Sequence, residues 1–120
     1  MVKELDTTLA ALADPTRRQV VDWLRVGPRR AGELARRAGM SSPAMSRHLR
    51  VLRSSGLVAA EGSEKDARLR VYRLQRAPFA SLQGWLTQVE SFWAGQLDAF
   101  REHVERTRPA SRPPGAKDRR

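Results

Sequence analysis

Residues 34–52 read LARRAGMSSPAMSRHLRVL, and this stretch decides the fold. Leu34, Ala35 and Ala38 repeat at one-turn spacing and predict a short helix over residues 31–38. Gly39 ends it, because glycine enters the left-handed backbone of a tight turn without steric cost. Ser41-Ser42-Pro43 opens a second helix. Either serine can cap its free amides, and Pro43 is tolerated in a first turn, where the missing N–H has no intrahelical partner. Met45, Leu49 and Leu52 then recur at steps of four and three, so one face of this helix is apolar. A small Ala35 lets the second helix approach the first, Gly39 turns the chain, and Met45 locks the two together. The arrangement is a helix-turn-helix.

The other face carries the chemistry. Ser42, Ala44, Ser46 and Arg47 stay outside together with Arg50, and His48 lies at the boundary. Short side chains let a helix sit deep in a major groove. Serine donates to or accepts from any base edge, Ala44 suits a thymine methyl, and Arg47 can fork onto guanine O6 and N7. Ser41, at the helix N-terminus, is placed where phosphate is favoured. For His48, local packing or hydrogen bonding competes with a phosphate contact. A solvated polar face in a helical bundle would show the same pattern, and the flanking segments weigh against it.

Downstream, Gly56 stops the second helix and the period changes. Residues 57–61 and 69–74 suit strands, and the polar turn Gly62-Ser63-Glu64-Lys65-Asp66-Ala67-Arg68 joins them into a hairpin. Lys65, Arg68 and Arg70 make this hairpin basic, which suits phosphate contacts beside the groove. A charged hairpin directly after a helix-turn-helix makes a winged helix. Upstream, Leu5, Leu9 and Leu12 form a short amphipathic helix. Asp14-Pro15 then supplies an N-cap followed by proline at the first helical position. Val20, Val21 and Leu24 turn inward before Gly27-Pro28 ends that helix. Arg17 follows the cap, and either an ion pair or a phosphate contact would account for it.

Pro78 opens a long helix to about residue 106. Phe79, Leu82, Leu86, Val89, Trp93, Leu97, Phe100 and Val104 form a near-heptad seam about 40 Å long at about 1.5 Å per residue. A domain of about 70 residues cannot cover such a seam, so a second copy is expected to pair with it. Leu5, Leu9, Trp85, Val89, Phe92, Trp93, Leu97 and Phe100 are the expected interface. Two other readings compete: the helix covers its own domain, or Trp85 and Trp93 line a ligand pocket. Residues 107–120 hold five basic side chains, one Asp and no large apolar side chain, and a disordered basic tail is expected there.

The whole chain has 120 residues, 23 Lys+Arg against 13 Asp+Glu, and a formal net charge of +10. One domain and a polyanionic partner follow, although an arginine-rich chain also arises from a GC-rich genome. Cysteine is absent, which removes disulfides, thiolate metal sites and thiol nucleophiles. The two histidines, His48 and His103, do not build an imidazole cage. No cluster of His with carboxylates and no Gly-rich phosphate loop is present, so no enzyme is expected. No run of about 18 apolar residues and no export signal occur, so a cytoplasmic protein without a membrane partner is expected.

Taken together, Ala13-Asp14-Pro15-Thr16-Arg17-Arg18, Gly32-Glu33-Leu34-Ala35, Ser41-Ser42-Pro43-Ala44-Met45-Ser46-Arg47-His48-Leu49-Arg50-Val51-Leu52, Ser55-Gly56-Leu57-Val58 and Val71-Tyr72-Arg73-Leu74 resemble the ArsR family of winged-helix repressors. The resemblance implies a homodimeric transcriptional regulator, usually a repressor on an imperfect inverted repeat near its own promoter. It places the recognition positions on Ser42, Ala44, Ser46 and Arg47 and the wing on residues 62–70. Thiolate sensors of this family carry Cys-x-Cys directly after a Glu-Leu, where this chain has Ala35 and Arg37. Another family site needs paired histidines on the last helix, where this chain has only His103 among Glu90, Asp98, Glu102 and Glu105. The resemblance therefore implies a member with no metal or other cofactor, and it leaves a small-molecule or protein effector open.

The expected fold is mainly α with a small β-hairpin: a winged helix-turn-helix over residues 1–106, with the wing at about 57–74 and a dimerisation helix at about 78–106. Two alternatives remain. A non-specific architectural DNA binder would show no sequence preference, and a winged-helix protein-interaction module would show no salt-dependent DNA binding.

Overall fold

The computed structural model describes residues 2–62 and 65–108. In chain order the elements are α1 (Val2–Leu12), α2 (Pro15–Leu24), β1 (Arg29–Arg30), α3 (Ala31–Ala38), α4 (Ser42–Ser54), β2 (Val58–Glu61), a 3-10 turn (Ala67–Leu69), β3 (Val71–Leu74) and α5 (Arg76–Thr107). They form two compact units, the first ending at Gly84 and the second beginning at Trp85 within α5. The expected tail falls almost wholly on residues 109–120, outside the described residues, as do Ser63 and Glu64 of the wing.

The core of the first unit is built from the apolar faces read in the sequence. Val20 and Leu24 of α2, Leu34 and Ala35 of α3, and Met45, Leu49 and Leu52 of α4 are buried together with Leu57, Val58 and Tyr72. Asp14 starts α2 as expected. Its backbone is extended, its carboxylate accepts from the amides of Thr16 and Arg17, and Pro15 occupies the first turn. The hydrogen bond from the Arg17 amide leads the causes that hold the Asp14 carboxyl below its usual range, against a smaller opposing effect of burial.

On α1 the buried side chains are Thr8 and Ala11, while Leu9, expected at the contact between copies, is exposed in the single chain. Small side chains at those two positions suit close packing against neighbouring helices, which a leucine row would hold apart. β2 and β3 form the expected antiparallel hairpin, and Arg29 and Arg30 add a third strand to it by pairing antiparallel with Tyr72 and Val71, giving the order β1-β3-β2. This strand also explains the start of α3: Arg30 provides no side-chain cap, and the Ala31 amide instead donates to the Arg70 carbonyl at 3.0 Å. Leu69 is not in a strand. The Asp66 carboxylate accepts from the Arg68 amide and its carbonyl accepts from the Leu69 amide, so the chain coils into the 3-10 turn and Leu69 is exposed. Finally, α5 begins at Arg76, two residues before Pro78. Proline fits there because first-turn amides lack intrahelical partners.

Candidate nucleic-acid interface

Two glycines frame the α3–α4 pair. Gly39 adopts φ 67°, its amide donates to the Arg36 carbonyl, and the Met40 amide reaches back to Ala35. Gly56 adopts φ 79°, with its amide on Arg53 and the Leu57 amide on Leu52. Both are helix ends of the Schellman type, which satisfy carbonyls left over at a C-terminus. Ser41, rather than Ser42, caps α4: its Oγ accepts from the Ala44 amide at 3.2 Å. Ser42 is the first helical residue.

With Met45, Leu49 and Leu52 buried, the remaining face of α4 is left to solvent. Arg47 and Arg50 are exposed, and Ser42, Ala44, Ser46 and His48 are half-buried. Neither arginine forms an ion pair among the described residues, so both keep their charge available. The same holds for Arg36, at the end of α3. The sequence reading missed Arg36, although its place in the first helix of a helix-turn-helix, which crosses the DNA backbone, could have found it.

Other arginines are occupied. Arg29 pairs with Glu33 at 2.8 Å, and Arg37 lies near the same carboxylate and over the Trp23 ring, 5.7 Å from its centroid. In the wing, Arg68 grips Asp66 through Nε and Nη2 at 3.1 and 3.0 Å. That side-chain hydrogen bond lowers the Asp66 carboxyl and raises the Arg68 guanidinium. Arg73 pairs with Glu61. Lys65 is exposed, and Arg70 is half-buried.

Arg17 is half-buried, and its donors are taken up by the protein itself. Its Nε donates to the Ala11 carbonyl at 2.7 Å, Nη2 to the Ala10 carbonyl at 3.4 Å, and Nη1 lies 3.3 Å from Nδ1 of His48. Arg18 donates to the Leu12 carbonyl at 2.8 Å.

The expected interface residues Trp85, Val89, Phe92, Trp93, Leu97 and Phe100 are all exposed in the single chain, Trp93 by 63% and Phe100 by 66%. On α1, Leu5 is half-buried and Leu9 exposed. A cavity of about 670 Å³ lies between α1, the end of α4 and the start of α5. Thr8, Ser55, Gln75 and Arg76 help to line it, whereas Trp85 and Trp93 do not. Among the described residues, no group of three or more His, Asp or Glu side chains could hold a metal ion. No described helix is long and apolar enough to cross a membrane.

Comparison with known proteins places this geometry. The profile of the bacterial regulatory protein, arsR family, matches residues 14–60. The HTH-type transcriptional regulator Rv2034 of Mycobacterium tuberculosis is 37% identical over 100 residues, covering 83% of this chain and 88% of that protein. The transcriptional repressor SdpR of Bacillus subtilis is 33% identical over 55 residues, 46% of this chain and 61% of its own. The solved ArsR-like transcriptional regulator from Rhodococcus sp. RHA1 superposes with a TM-score of 0.70 at 28% identity, covering 86% of this chain and 94% of that one.

Proposed function

The chain belongs to the ArsR family of bacterial regulatory proteins, and from that premise we propose that it is a homodimeric, metal-independent repressor reading an inverted-repeat operator. At the coarser level it is a DNA-binding winged helix-turn-helix transcriptional regulator and not an enzyme.

The carrying observation is the outer face of α4, where short side chains at the N-terminal end stand beside the exposed Arg47, which has no ion pair among the described residues. In this reading Ser42, Ala44, Ser46 and Arg47 meet base edges. Ser41, Arg50, Lys65, Arg68 and Arg70 meet the backbone and set the register, joined by Arg36. Asp66 aims Arg68 rather than silencing it, since a guanidinium held on one edge keeps donors on the other. The exposed apolar stripe of α5 joins two copies, and Leu5 and Leu9 of α1 contribute to the interface. Two-fold pairing puts the two α4 helices into successive major grooves about one turn, or 34 Å, apart. Metal independence rests on side-chain chemistry: Ala35 is buried in the core, and Arg37 brings a cation to the place a thiolate would need.

Hydroxyl-radical footprinting of the duplex upstream of the protein's own gene tests the proposal. We expect two protected patches on one face of the helix, centred about 10 base pairs apart over an inverted repeat. Uniform protection would favour an architectural binder. No salt-dependent protection of any duplex would leave the protein-interaction module.

A further inference from the structure

We propose that Arg17 is a positioning residue: its guanidinium braces the last turn of α1 against α4 and fixes His48 as an outward Nε2–H donor for a DNA phosphate. The second part rests on α4 being the DNA-reading helix, whereas the brace itself does not.

The chemistry follows from what a guanidinium can do. Arginine has five N–H donors and no acceptor. Its Nη1 stands 3.3 Å from His48 Nδ1, so that ring nitrogen must offer its lone pair. The proton of the neutral imidazole is then on Nε2. No hydrogen bond to Nε2 occurs among the described residues, and none of their buried side-chain nitrogens or oxygens lacks a partner. His48 is half-buried, so Nε2 reaches solvent. A donor thus stands on the boundary of the α4 face, and Arg17 holds it there.

The other end of the brace is also specified. The last carbonyls of a helix lack intrahelical partners and attract cations. The final turn of α1 has no basic residue of its own. Arg17 serves Ala10 and Ala11 from α2, and Arg18 serves Leu12. Asp14, whose carboxyl is drawn down first by the hydrogen bond from the Arg17 amide, caps the same end of α2. Asp14-Pro15-Thr16-Arg17-Arg18 is therefore a joint: it begins α2, closes α1 and reaches α4. A shift of α1 relative to α2 would be felt at His48.

Two measurements test this. The first needs no DNA: nitrogen-15 NMR of the imidazoles in the neutral form, with His48→Gln assigning the signal of one of the two histidines. The expected result is a protonated Nε2 and an unprotonated Nδ1 at His48. The reverse tautomer overturns the brace whatever the protein binds. The second is a double-mutant cycle on the preferred duplex across salt concentrations, with thermal melts confirming that each variant folds. Arg17→Ala and His48→Ala should each weaken binding roughly tenfold, the size of one charge-assisted hydrogen bond. The double variant should lose little more, because the two side chains act as one unit. Arg17→Lys, which keeps the charge but not the fork, should show the same loss, and the salt slope of Arg17→Ala should match the wild type. Additive losses, rescue by lysine and a slope smaller by about one would identify Arg17 as a phosphate ligand and overturn the proposal. A wild type without sequence preference would instead sink the operator reading and leave the tautomer result standing.

Discussion

Val89→Asp combined with Trp93→Asp is expected to convert a dimer into a monomer and to weaken binding to a two-half-site duplex by about 10²- to 10⁴-fold. Both side chains lie on the apolar stripe of α5, exposed in the single chain and outside the buried core. Leaving Trp85, Phe92, Trp93 and Phe100 in water forfeits roughly 25 cal/mol for each Å² that a partner could cover. A two-fold interface brings the same patch from each copy together, so each aspartate pair faces its symmetry mates and repels them. Linked half-site binding is then lost, while each single winged helix keeps its own weak affinity. Sedimentation equilibrium and titration of one-site and two-site duplexes separate these effects. A variant that stays dimeric, or a monomer with undiminished two-site affinity, would contradict the proposed assembly.

The second large effect belongs to the core under the α4 face. Leu49→Ala should lower unfolding free energy by about 2–5 kcal/mol, the range for a fully buried leucine whose cavity cannot close. Leu49 is 1% exposed on the inner side of α4. Its loss would leave Met45 and Leu52 without the filler between them. Val51, two residues further on, is exposed, and Val51→Ala should stay within about 0.5 kcal/mol of wild type. Urea denaturation measures both: the Leu49 variant should lose midpoint with an unchanged slope. Equal, small losses at both positions would mean that α4 does not pack as described.

What could be read from the sequence follows from how local the cause is. The inner face of α4 is fixed by spacing alone, and the turns at Gly39 and Gly56 are fixed by glycine's access to positive φ, so both were legible. Asp14-Pro15 identified the start of α2 because an N-cap acts over three residues. The strand at Arg29–Arg30 was not legible, since two arginines carry no strand signal and become one only by meeting Val71 and Tyr72, some forty residues away. Leu69 misled because its apolar side chain fits an alternating strand, while the Asp66 carboxylate capping the Arg68 amide decides the backbone. On α1 the buried Thr8 and Ala11 carry no signal in the sequence, because small and polar side chains do not stand out in an apolar repeat. Arg17 could not be settled by sequence, because its partners come from α1 and α4 and only the fold brings them to one guanidinium. The candidate reading face was legible as a pattern of short residues beside Arg47. What it reads depends on a groove that the sequence does not contain.

That face is probed most directly by titrating the wild type and Arg47→Ala against the preferred duplex and each of its single-base variants at fixed salt. A bidentate contact to one guanine predicts that discrimination at one base pair per half-site falls by about 1–3 kcal/mol while preference elsewhere is kept. Equal weakening on every duplex, or no change on any, would show that Arg47 reads no base and that α4 does not enter the groove as described.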